Sequence, residues 1–310
     1  MGEMTSTYNP AVHRLAVFTV CWTILLFVAG ALVTSKDAAL SVPDWPTSHG
    51  ALVPALSSLQ GGDLFEFSHR VFAGGLGFLT LALAALLWLK EKRPWLRWLG
   101  LIAVLGVAVQ AVLGGQVVIR LLHYWLPVIH ACFAQIVFGA VVGIAVFTSK
   151  WWVSDQPQLE DSGTPSIHSL AILNAAVIYV QVILGAGFRH KEIPIWPHMA
   201  GAMLVLGMVI WTAVALRKRF AQSRELTRAR ILLHAIFGTQ FLLGLAAYWS
   251  RLTTADAPQP MPVMVTLTVT HTVVGALLFA FSVLIVLACY RLVPRGREVA
   301  ARAPRQVATG

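Results

Sequence analysis

Residues 127–148, PVIHACFAQIVFGAVVGIAVFT, contain no Asp, Glu, Lys or Arg and one imidazole, His130. A run of about 20 mostly apolar residues is what a helix needs to cross the hydrocarbon core of a bilayer. Seven further runs meet the same condition: 15–34, 71–89, 98–119, 169–187, 197–216, 231–250 and 263–290. Over its 310 residues the chain is 57% hydrophobic and 12% charged. Too little polar sequence remains to cover the core of a large soluble protein. The expected fold class is therefore an all-α integral membrane protein with eight transmembrane helices.

Basic residues fall between the runs. Lys90, Lys92, Arg93 and Arg97 follow the second, and Arg217, Lys218, Arg219, Arg224, Arg228 and Arg230 follow the sixth. Arg291, Arg295, Arg297, Arg302 and Arg305 follow the eighth, with Arg14 and Lys150 on the same side. Lys36, Arg70, Arg120, Arg189, Lys191 and Arg251 lie on or near the other side. The net charge of +10 is thus spread over loops and does not point to nucleic acid. The positive-inside rule puts both termini in the cytoplasm. The short segment before the first run includes Glu3 and is too poor in arginine for a transit peptide, so a bacterial inner membrane is expected. Cys21, Cys132 and Cys289 all fall inside runs, lack zinc-site spacing and read as packing residues.

The downward runs share a titratable ring. His69, His130, His198 and His271 each stand near the start of one, at matching depth. Histidine at hydrocarbon depth is costly and needs a partner. Copper or zinc would bring Cys, Met or carboxylate ligands into the set, whereas pairs of imidazoles facing across a helical bundle can hold haem iron. Two bis-histidine haem sites result, His69 with His130 and His198 with His271, although spacing alone leaves cross-unit pairing open. His13, His168 and His234 lie near the cytoplasmic side. His49, His123 and His190 lie in outer loops, where solvated or propionate-contacting roles are expected.

The histidine spacing also indicates a repeat. His69 and Gln110 recur as His198 and Gln240, and His130 recurs as His271 after a longer loop, 251–262. This predicts two duplicated four-helix bundles. The expected domains are an N-terminal bundle at 1–150, a cytoplasmic linker at 151–168 and a C-terminal bundle at 169–310. The upward runs carry Gln110-Ala-Val-Leu-Gly114, Gln181-Val-Ile-Leu-Gly185 and Gln240-Phe-Leu-Leu-Gly244. Small residues there serve close helix packing, and they also leave room for a flat macrocycle beside the imidazoles. Glu66 precedes His69 by three residues, on one helical face if the helix begins by residue 65; Ile195 stands at the corresponding place before His198. That asymmetry points to catalysis in the first unit and electron transfer or support in the second.

Glu66-Phe-Ser-His69-Arg70, Pro43-Asp44-Trp45-Pro46-Thr47-Ser48-His49-Gly50, Pro197-His198, Thr270-His271-Thr-Val-Val-Gly275 and the repeated Gln-x-x-Leu-Gly elements together resemble the haem A synthase family. The resemblance implies oxidation of the C8 methyl group of haem O to a formyl group, giving haem A for terminal oxidases. It makes Glu66 the catalytic residue, His69 and His130 the binders of the substrate haem, and His198 and His271 the iron ligands of a resident haem b. Haem O synthase becomes the substrate donor, with terminal oxidase assembly downstream and an electron-transfer partner or quinone alongside. Membrane lipid surrounds the chain, and a homo-oligomer is possible. Where many relatives carry a cysteine pair flanking the Trp-Pro element, this chain has Ser41 and Ser48, as in a cysteine-free branch. The competing readings are a dihaem cytochrome b exchanging electrons with quinone, and a transporter built from repeated bundles.

Overall fold

The computed structural model describes residues 8–294. Glu3 and the expected inner-side residues Arg295, Arg297, Arg302 and Arg305 lie outside them. Among the described residues there are nine α-helices and no strand: α1 (Pro10–Ser35), α2 (Gly62–Lys90), α3 (Pro94–Ile119), α4 (Leu126–Phe147), the short α5 (Lys150–Val153), α6 (Ile167–Arg189), α7 (Trp196–Arg219), α8 (Arg224–Thr253) and α9 (Pro262–Leu292). All but α5 are long and apolar enough to span a membrane. The protein is an all-α integral membrane protein.

Proline and short polar side chains set where these helices begin. Asn9 accepts hydrogen bonds from the amides of Ala11 and Val12 at 3.0 and 3.2 Å, and Pro10 follows it, where a missing N–H costs nothing. Pro94, Pro127, Pro197 and Pro262 occupy the first turns of α3, α4, α7 and α9. Ser166 and Ser223 cap α6 and α8. Several helices outrun their apolar stretch. Helix α2 begins at Gly62 rather than near residue 71, because its first turns carry Asp63, Glu66 and Arg70, which lower the hydropathy without interrupting the helix.

Neighbours in sequence pack against one another with alternating direction. Contacts run in cyclic order through α1, α2, α3, α4 and back to α1, and likewise through α6, α7, α8, α9 and back to α6. Helix α4 also touches α6 and α9, and α1 touches α9. The apolar packing is densest at the end away from the histidines. There Val12, Leu83, Leu87, Leu96 and Ile144 form one cluster, and Leu170, Leu216, Leu226, Leu233, Ile285 and Leu292 another. Phe138 and Val142 of α4 join Ala276 and Ala280 of α9 across the middle. Phe78, Leu89, Leu105 and Leu242 point outward and are well exposed, as lipid-facing side chains would be.

Candidate functional site

Toward the other end, large core side chains give way to histidines seated on glycines. A methyl group built on Gly30 of α1 would lie 3.0 Å from Cε1 of His69 on α2. The same construction on Gly114 of α3 meets His130 of α4 at 3.2 Å, on Gly185 of α6 meets His198 of α7 at 3.0 Å, and on Gly244 of α8 meets His271 of α9 at 2.9 Å. Each imidazole therefore leans into a gap that only glycine leaves, on the helix preceding its own. Three of these glycines end the Gln-x-x-Leu-Gly elements. The fourth, Gly30, carries no such signal in the sequence because Leu26 stands where the others have glutamine.

The glutamines hold the histidine-bearing helices. Gln110 Nε2 donates to the His130 carbonyl at 3.0 Å, and Gln181 Nε2 donates to the His198 carbonyl at 2.9 Å. Gln181 Nε2 also lies 3.0 Å from His198 Nδ1. In α9 the His271 Nδ1–H donates to the Gln240 carbonyl at 3.1 Å. That bond leaves the lone pair on Nε2, the nitrogen a metal would take. The Gln240 amide lies 3.3 Å from this Nε2.

Two of the four rings, those of His198 and His271, come together. His198 and His271 have ring centres 6.3 Å apart with planes at 87°. Two metal–imidazole bonds of about 2 Å each put coordinated rings about 6 Å apart, centre to centre. His69 and His130 lie within electrostatic range of each other, and the Nδ1 atoms of both are buried without a hydrogen-bond partner. The side-chain oxygens of Gln110, Gln181 and Gln240 are also buried and unpartnered. Such atoms are rare in native interiors and call for a partner such as an ordered water or a bound group. Among the described residues, no three His, Cys, Asp or Glu side chains gather to hold a metal ion. Two facing imidazoles suit a metal that arrives with its other positions filled by a macrocycle.

Glu66 is buried one turn from His69 on the same helix, because α2 has begun by Gly62. Its Oε2 accepts from the Val42 amide at 3.0 Å and its Oε1 from Arg70 Nη2 at 2.6 Å. Arg70 in turn donates to the carbonyls of Asp44 and Thr47 at 2.8 and 2.6 Å and to Ser48 Oγ at 3.2 Å. Asp44 closes this loop on itself by accepting from the Thr47 hydroxyl and the amides of His49 and Gly50. The Thr47 hydroxyl, then the Gly50 amide, pull its carboxyl down to about 2. The loop so pinned sets the Trp45 indole flat against Gly115 of α3, beside the Gly114 that seats His130. Glu66, the 42–50 loop and the glycine seat of His130 are thus one connected assembly.

The other histidines have local partners. His13 bonds the Ala145 carbonyl at 3.1 Å, His168 the Val293 carbonyl at 2.9 Å and His234 the Arg230 carbonyl at 2.9 Å. His49 pairs with Asp63 at 3.1 Å on the surface, and His123 packs edge-on to Tyr124. His190, just past the end of α6, is pulled down to about 4 by burial, with the Arg189 and His130 charges adding to it. Cys132 and Cys289 are buried and Cys21 is exposed; all three are free.

Residues 13–193 match the family model COX15-CtaA, described as cytochrome oxidase assembly protein. The chain is also similar to haem A synthases. It is 25% identical to that of Bacillus licheniformis over 276 residues, covering 79% of this chain and 88% of the relative. Identity is 27% to that of Shouchella clausii, over 59% of this chain and 61% of the relative. It is 29% to that of Listeria monocytogenes, over 60% of this chain and 62% of the relative.

Proposed function

The chain belongs to the family of cytochrome oxidase assembly proteins that comprises the haem A synthases, and on that premise we propose that it oxidises the C8 methyl group of haem O to the formyl group of haem A. The reaction makes it an oxidoreductase whose product serves terminal oxidases. The observation that carries this reading is the set of four histidines, each seated on a glycine of the preceding helix, with His198 and His271 ring to ring and Glu66 one turn from His69 alone.

The pairs take different haems in this reading. His69 and His130 would position the substrate haem O, and His198 and His271 would hold the iron of a resident haem b. The duplicated-bundle division at 1–150 and 169–310, joined by 151–168, is supported by the two cyclic packing arrangements. When bound, haem b supplies one-electron redox chemistry close to the substrate. The protein supplies binding, orientation and charge. The Val42 amide and Arg70 each bond one oxygen of Glu66, which fixes the carboxylate while lone pairs remain to face a reacting group. Positive charge developing at the methyl carbon is stabilised by that fixed carboxylate. With water as the oxygen source, methyl to alcohol and alcohol to hydrated aldehyde would each take up one water and release two protons and two electrons to the quinone or other electron-transfer partner, and the hydrate then loses water. Trp45, held by the Arg70 latch, covers the first site at its Gly115 edge.

The proposed setting is a bacterial inner membrane, with both termini cytoplasmic and the histidine end outward, an orientation that the distribution of Lys and Arg supports. Haem O synthase is the substrate donor, and quinone or another electron-transfer partner exchanges electrons. Lipid surrounds the spans, and self-association is compatible with the exposed faces of α3 and α8. Pigments extracted from cells that make this protein and are supplied with haem O should contain haem A by mass. Unchanged haem O in those extracts, with both histidine pairs intact, favours a dihaem cytochrome b.

A further inference from the structure

The end of α6 carries a cation that the proposed function does not use. Arg189 is partly buried at the end of α6, which packs against α9, and its side chain reaches α1. Its Nη1 donates to Thr272 Oγ1 at 2.8 Å, and its Nη2 donates to the Ala31 carbonyl at 2.8 Å and to Ser35 Oγ at 2.9 Å. Every one of these partners is neutral. Among the described residues no carboxylate forms an ion pair with Arg189, whereas Arg70, Arg93 and Arg219 each have one, at 2.6, 2.8 and 3.3 Å. A guanidinium drawn out of water without a counter-charge is destabilising, and its five N–H donors exceed the bonds it makes here.

Its position says what would complete it. Thr272, which Arg189 bonds, directly follows His271 in the chain. Ala31 directly follows Gly30, the seat of His69. The cation is therefore preorganised by three helices at the border of the second histidine pair, on a contact that continues to the first. A porphyrin brings carboxylates on its rim, and a planar fork of N–H donors matches a carboxylate in two bonds.

We propose that Arg189 is the carboxylate receptor of the second site, binding a propionate of the haem held between His198 and His271. This rests on the reading of that pair as a haem site. Neutral hydroxyls and a carbonyl hold the guanidinium in place, so its charge stays available to the incoming carboxylate. Its field also favours the reduced over the oxidised haem iron and so raises the midpoint potential.

The test compares two probes in one protein. Full-length protein carrying His130→Ala, in which only the second pair offers two imidazoles, is produced in haem-depleted cells. It is titrated in detergent with iron protoporphyrin IX and with its dimethyl ester, whose carboxylates are masked. With Arg189 present, the free acid should bind about tenfold or more tightly than the ester. Arg189→Gln should bind the two alike, and Arg189→Lys should fall between. Because the ratio is taken within each variant, a partly unfolded sample does not change it. The midpoint potential of haem b should also fall in Arg189→Gln. An unchanged acid-to-ester ratio in Arg189→Gln, or no preference with Arg189 present, overturns the proposal and leaves the haem site standing. Failure to bind either probe with Arg189 present overturns the haem reading and this proposal with it.

Discussion

Helices α2 and α7 seat their histidines alike and are furnished differently. His69 leans on Gly30 and His198 on Gly185, at the same 3.0 Å. Yet α2 starts at Gly62, well before its histidine, whereas α7 starts at Trp196, just before His198. The added turns of α2 carry Glu66 and keep it on the His69 face. At the matching place in the second half, Ile195 is only the cap of its helix. The loop before α2 is long enough to fold back and be gripped by Arg70, and it brings Trp45 with it. Among the described residues the second half has no such latch on α7; it has Arg189, a cation with neutral partners. On the proposed reading, the difference separates a place to do chemistry from a place to hold a group.

The largest effect should come from deleting the charge that only the first half possesses. Glu66→Gln keeps the shape and most hydrogen bonds of the side chain. It should lower haem A formation about a hundredfold or more, or stop it at the alcohol, while the resident haem stays bound. Normal conversion by this variant would reduce Glu66 to a fastener for the loop.

Glycine substitutions sharpen the comparison next. Gly185→Ala and Gly244→Ala place a methyl group about 3 Å from the His198 or His271 imidazole, an overpacking that costs roughly 1–3 kcal/mol. Purified protein should then carry less low-spin haem b. Gly30→Ala and Gly114→Ala should spare haem b and raise KM for haem O. Equal loss of haem b from all four would erase the distinction between the halves.

Trp45→Ala should have a smaller effect, about tenfold in KM for haem O or roughly 1.4 kcal/mol. Because the Arg70 contacts to the loop remain, the fold should persist. If only thermal stability changes and turnover is normal, Trp45 is an interfacial anchor.

The smallest expected effect concerns pH. The Asp44 carboxyl is held below its ordinary range by the Thr47 hydroxyl and the Gly50 and His49 amides. The bonds it makes are therefore fully present above about pH 4 and are lost as pH falls toward about 2. Hydrogen exchange of the 44–50 segment should stay slow across the neutral range and rise only in that acidic window. Asp44→Ala should make it fast at every pH.

Much of this was legible in the sequence. Hydropathy located the eight spans, because a helix that long and that free of charge is at home only in lipid. The four histidines stood out because a polar ring is costly at that depth. Three of their glycine seats were visible through the glutamine that precedes each; Gly30 was not, since Leu26 removes the signal and only the packing of α1 on α2 reveals it. The early start of α2 was hidden by the polar residues that give it its purpose. The Glu66–Val42 bond and the Arg189 contacts to Ala31, Ser35 and Thr272 join segments far apart in the chain, and no local pattern announces such pairings.

The division of labour between the halves is tested most directly by pigment analysis of two paired variants from cells supplied with haem O. Replacing His69 and His130 by alanine should leave haem b bound, with its low-spin spectrum, and abolish both haem O retention and haem A. Replacing His198 and His271 should instead remove haem b from the purified protein. If both variants lose the same haem to the same extent, the two pairs are not a substrate site and a cofactor site, and the account is contradicted.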